Sequence, residues 1–60
     1  LLHVLVRDDE VQLVLASFYE SHSLLIDAAT AHQKAIKLAP AVPQFRIAYA
    51  NFIERNGLKN

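Results

Sequence analysis

His3, His22 and His32 are the side chains best suited to metal ligation or proton transfer in this 60-residue chain. No two of them stand three or four apart, the spacing that puts two ligands on one helix face, and there is no cysteine to complete a set. His22 lies near a turn and His32 on the packing side of a helix, and a structural role with its hydrogen bonds satisfied is expected for each of the three. Glu20 and Glu54 are the next candidates. A catalytic carboxylate pair needs two unlike environments, whereas these two occupy matching places in two similar phrases. A single glycine cannot build a glycine-rich phosphate loop. The expectation is a non-enzyme, with no catalytic, cofactor-binding or metal-binding residue.

The elements that must carry these side chains are written in the apolar spacing. Val11, Val14, Leu15, Phe18 and Tyr19 recur at helical intervals and predict one helix, with Asp9 placed to cap it and Glu10 favouring its positive end. Ala28, Ala31, His32, Ala35 and Leu38 predict a second, capped by Ser23, with Asp27 in its first turns and small residues where a neighbour can come close. Pro40 and Pro43 end it, and Pro43 can open a third helix as a first-turn proline. Asn56-Gly57 closes that helix through a left-handed residue. The opening LLHVLV reads as the end of an earlier helix or as a buried strand.

The first and third helices are copies of one phrase. Ala16–Leu24 reads ASFYESHSL and Ala50–Leu58 reads ANFIERNGL, an offset of 34 (16 to 50). Adding 34 to the first stripe gives Phe45, Ala48, Tyr49, Phe52 and Ile53, apolar at every place. Ala16 and Ala50 are expected at close helix crossings, with Phe18 and Phe52 filling the space beside them. His22-Ser23 stands where the later copy has Asn56-Gly57, so the first turn is expected to be built differently.

Composition narrows the function classes. Six basic residues balance six acidic ones, which gives no cationic footprint for nucleic acid. The longest uncharged stretch, VQLVLASFY, is far short of the roughly 18 residues of a membrane span. Residues 53% hydrophobic are many for a chain that can bury only about 60% of its unfolded surface. Together with the missing initiator Met and the lack of a charged leader at LLHVLV, this points to a piece of a longer chain, or to faces covered by a partner. Self-association of the fragment is one such outcome, because Phe45, Tyr49 and Phe52 lack a following helix. The compartment stays open.

A helix–turn–helix unit of this period resembles the tetratricopeptide repeat. Leu15, Ala16, Tyr19, Ala28, Ala35 and Pro40 fall in that family's large–small–large–small–small–Pro pattern, and QKAIKLAP resembles its second-helix ending. Tyr49-Ala50, Ile53 and Gly57 match in the partial second copy. Gln12 and Arg46 depart from it, standing where the family prefers a large apolar residue, and Ser23 replaces its usual glycine. YANFIER is similar to the half-a-tetratricopeptide repeats of RNA-processing proteins, whose second-helix signature is absent here. The resemblance implies an all-α fold of antiparallel helix-turn-helix repeats stacked as an α-solenoid. Residues 1–8 would end a preceding repeat's second helix, 9–42 form one complete repeat, and 43–60 begin the next.

The resemblance also implies where a ligand would lie. In this family the first helices line a concave surface, which here carries Glu10, Leu13, Ser17 and Glu20, with Gln44, Ile47, Asn51 and Glu54 as counterparts. Leu13 and Ile47 would form an apolar ridge between acidic and amide groups, suited to a peptide or partner helix carrying basic residues. The alternative is that Leu13 and Ile47 pack against a neighbouring segment while Glu20 and Glu54 are merely solvated. The family's clamp for acidic C-terminal tails needs Lys and then Asn four residues on. Leu13 and Ser17, then Ile47 and Asn51, match it at Asn51 alone, so no such clamp is expected. The function implied is a non-catalytic protein–protein interaction scaffold. The rival is a structural or oligomerising repeat segment attached to a larger enzyme such as a transferase.

Overall fold

A computed structural model describes residues 8–58, and the opening LLHVLV falls outside them. The described chain is all-helical: α1 (Asp8–Ser21), α2 (Leu25–Leu38) and α3 (Pro43–Arg55). The short links at 22–24 and 39–42 turn each helix back along the one before, as expected for connections of this length. The molecule is a slab of 40 × 25 × 13 Å, with α2 making its larger contact with α1 and a smaller one with α3.

α2 is central because of what it lacks. Ala28, Ala31 and Ala35 are buried along one side of it, and α1 contributes the fully buried Ala16. Small side chains at a crossing let helix axes approach to the short end of the usual range of about 8–10 Å. α3 brings the bulk instead. Phe52 is fully buried and Phe45 nearly so, and the Phe52 ring lies 5.0 Å from the His32 imidazole. Pro43 occupies the first turn of α3, where its missing N–H is no loss.

The two copies of the phrase end in the same kind of turn with three matching backbone bonds, His22 N–H donating in addition to Tyr19 at 3.1 Å. His22 N–H donates to the Phe18 carbonyl (3.3 Å), Ser23 N–H to Glu20 (3.0 Å) and Leu24 N–H to Tyr19 (2.8 Å). The counterparts run from Asn56 to Phe52 (3.2 Å), Gly57 to Glu54 (3.2 Å) and Leu58 to Ile53 (2.9 Å). This is the Schellman arrangement, which needs a left-handed residue just past the helix. Gly57 supplies it at φ 66° and Ser23 at φ 61°. The expected difference between the turns is therefore absent. Hydrogen bonding and the following helix hold Ser23 where glycine would sit without strain. Ser23 consequently does not cap α2; Leu24 holds the cap position and offers no side-chain bond. Asp9 likewise lies inside α1, buried in its first turn, with a carboxylate oxygen accepting from the Glu10 N–H at 2.8 Å.

The stripe expected on α1 is only partly right. Val14 and Phe18 are 69% and 54% exposed, while Leu15 and Tyr19 are half-buried. Apolar residues cover too wide an arc of α1 for spacing to choose one side, and Ala16 takes the seat because it permits the closest approach to α2. Phe18 lies instead over its own helix end, its ring 4.5 Å from the His22 ring. The alanines also part company: Ala50 is exposed, with no close crossing over it among the described residues.

Candidate functional site

The eight expected contact residues divide by exposure. Glu10, Ser17, Gln44, Asn51 and Glu54 are exposed, Leu13 and Glu20 are half-buried, and Ile47 is 57% exposed. Of the two residues of the expected ridge, Ile47 is thus the open one. Glu20 reaches the third helix. Its carboxylate accepts from Arg55 Nη2 at 2.7 Å and Nε at 2.8 Å, and from Asn56 Nδ2 at 2.8 Å. Asn56 Nδ2 also donates to the Phe52 carbonyl at 3.0 Å, which fixes the amide at the end of α3.

This arrangement changes the electrostatics of the face. The Arg55 fork first, and then the Asn56 amide, hold the Glu20 carboxyl down from its ordinary 4.5 to about 2. The two-pronged geometry makes the pair directional as well as charged. Glu20 is therefore neither merely solvated nor free to recruit a basic ligand. Of the acids expected on that face, Glu10 and Glu54 are exposed. Sequence reading missed the clasp, though one signal was present: the offset of 34 matches position 20 with 54, and Arg55 is the basic residue next to it.

His32 is buried as expected, but its Nδ1 has no hydrogen-bond partner. The expectation of a simple structural histidine is met in place and not in bonding. Its ring lies between aromatic neighbours, 5.7 Å from Tyr49 and 5.0 Å from Phe52. Burial lowers its pKa from 6.5; the Glu20 charge opposes that shift and Arg55 adds to it. A group in this setting packs as a neutral ring.

An open groove of about 550 Å³ lies beside α2 and α3, with Ile26, Ala29, Gln33, Tyr49, Ile53 and Leu58 among its walls. Gln33 Nε2 donates to the Tyr49 hydroxyl at 2.9 Å across it. Sequence reading did not single it out, having placed the uncovered apolar surface at Phe45, Tyr49 and Phe52. Phe45 and Phe52 are buried, and the uncovered surface is at Ile26, 84% exposed, and its neighbours.

Among the described residues, no group of three His, Cys, Asp or Glu side chains is placed to hold a metal ion. No described helix is long and apolar enough to cross a membrane. The geometry thus defines an all-α helical protein with a repeated helix ending. Comparisons with protein-family models, with curated proteins and with solved structures returned no match.

Proposed function

We propose that the chain is a segment of a tetratricopeptide-like solenoid and acts as a non-catalytic protein-interaction scaffold. On this reading the face of α1 and α3 carrying Glu10, Leu13, Ser17, Glu20, Gln44, Ile47, Asn51 and Glu54 meets a peptide or partner helix. The observation that carries it is the turn repeated at an offset of 34, the same three backbone bonds at each end of the interval (18 to 52, 19 to 53, 20 to 54). A sequence repeat that is also a geometric repeat is what stacked helical hairpins require, since each buries its stripe against the next. Exposed Ile47 between Gln44, Asn51 and Glu54 supplies apolar contact with polar and acidic flanks.

The reading is tested by titrating the chain with a basic amphipathic peptide and with an acidic peptide of the same apolar pattern. The basic peptide is expected to bind, more weakly at high salt because exposed charges are screened. Ile47→Lys, at a position already open to water, should weaken it by about tenfold with helicity unchanged. Leu13→Lys with Ile47→Lys should remove it. Equal binding of both peptides, or indifference to Ile47→Lys, would sink the reading.

A second reading, a structural or oligomerising segment of a larger enzyme, is favoured by the open Val14 and Phe18 on α1. Sedimentation separates the two. Self-association abolished by Val14→Lys would favour that rival.

A further inference from the structure

The chain's one glycine follows Asn56, and that pair carries a reaction of its own. The carboxamide carbon of an asparagine is one ring closure away from the next backbone nitrogen. Attack forms a cyclic succinimide and expels ammonia, and water then opens the ring to aspartate or isoaspartate. Most side chains crowd the attacking nitrogen, and glycine does not. Gly57 is exposed, and a Cβ placed on it would meet nothing within 4 Å. The matching turn after α1 has His22-Ser23 there and no carboxamide. Of two like turns, only the second carries this chemistry.

The fold holds this reaction back. Asn56 has ψ 6°, which nearly eclipses the Gly57 nitrogen with Asn56's own nitrogen and turns it away from the carboxamide. Ring closure therefore needs a large rotation about the Asn56 Cα–C bond. That rotation breaks the bonds that Gly57 N–H donates to Glu54 (3.2 Å) and Leu58 N–H donates to Ile53 (2.9 Å). The carboxamide is tethered as well, its Nδ2 donating to Glu20 Oε2 at 2.8 Å and to the Phe52 carbonyl at 3.0 Å. We propose that Asn56-Gly57 is a deamidation site restrained by the end of α3, and that its reaction releases the tie between α1 and α3. In the first step the Gly57 nitrogen gives its proton to solvent base and bonds to Asn56 Cγ, while the Cγ–Nδ2 bond breaks and ammonia leaves. In the second, water adds to one imide carbonyl, a C–N bond breaks, and a carboxylate and a proton result. A carboxylate accepts only, so the bonds to Glu20 and Phe52 are lost. Two negative charges then meet beside Arg55, which disfavours keeping both ionised. Isoaspartate also adds a methylene to the main chain and displaces the turn.

The test incubates the full chain in mildly alkaline buffer, with and without guanidinium chloride, and follows it by intact mass and peptide mapping. The mass gain of deamidation is expected at Asn56, at least about tenfold slower in the folded chain because only the opened helix end reacts. Glu20→Ala, held well below its own thermal midpoint, should speed the folded reaction several-fold by freeing the carboxamide. Asn56→Ser should remove the gain, and Asn51, followed by the bulky Phe52, should stay intact. Asn56→Asp reproduces one product. It should lower the thermal midpoint and raise the Glu20 carboxyl toward its ordinary range in an NMR titration. Equal rates with and without denaturant, or a rate indifferent to Glu20→Ala, would overturn the restraint. A mass gain located elsewhere in the chain would overturn the site. An Asn56→Asp chain with an unchanged midpoint and an unchanged Glu20 titration would overturn the release of the tie.

Discussion

Ser23 holds a left-handed backbone at φ 61°, a conformation that costs an L-residue about 1–2 kcal/mol and glycine almost nothing. Glycine also gives up more freedom on folding, which offsets part of the gain. Ser23→Gly is therefore expected to stabilise the fold by about 0.5–1 kcal/mol, read as a rise in thermal midpoint of several degrees. A fall in the midpoint would mean that the serine side chain holds the turn in some way the backbone bonds do not reveal. His32 gives a pH prediction. Its folded pKa is depressed, so the unfolded chain takes up the proton more readily. Stability should be full above about 6.5 and decline as the pH falls below it. Glu20 is depressed too, from 4.5 to about 2, so its contribution is present above 4.5 and is lost as the pH falls through that window. Acid should thus weaken the fold in two successive stages. His32→Phe keeps a ring beside Tyr49 and Phe52 and removes the unpartnered Nδ1. It should stabilise by about 1 kcal/mol and erase the upper stage alone, which urea titrations at pH 7.5 and 5.5 would reveal. Retention of the upper stage would assign it to another group.

Helices α1 and α3 carry the same phrase in different surroundings, and substitution should expose the difference. Phe52 is wholly buried, whereas Phe18 is 54% exposed. Phe52→Ala should cost about 3–5 kcal/mol. A domain of this size holds roughly 3–9 kcal/mol in all, at 0.05–0.15 kcal/mol per residue, so a large share of the folding margin should go and the thermal midpoint should fall steeply. Phe18→Ala should cost under about 1 kcal/mol, as surface changes usually do. Equal losses at the two positions would show that α1 buries its phenylalanine in solution. The Glu20–Arg55 pair ties α1 to the end of α3. Glu20→Gln removes the charge while keeping an acceptor, so it should lower the midpoint at low salt and have less effect at high salt. It should also erase the acid-sensitive stage below pH 4.5. A midpoint indifferent to both charge and salt would mean that the tie contributes nothing to stability.

For the whole molecule, local chemistry gave much of the outline. Pro43 in the first turn of α3, the alanine side of α2, the left-handed Gly57 and the offset of 34 were legible because each rule acts within a turn of helix or within a repeated phrase. The candidate face was legible only as a set of positions. Exposure leaves Ile47 its open apolar residue and ties Glu20 to Arg55 and Asn56, across 35 residues (20 to 55). No local rule reaches that far. Spacing also could not decide which arc of α1 turns inward, since Val14 and Leu15 both belong to its apolar side and only the presence of α2 distinguishes them. By itself, then, the sequence determined three helices, the proline start and glycine end of α3 and a repeated phrase, because backbone preferences and periodicity are properties of neighbours along the chain. Tertiary structure decided which phenylalanine is core, which glutamate is paired and which groove is open. Those depend on what lies across from a residue, and two similar phrases in α1 and α3 meet different neighbours.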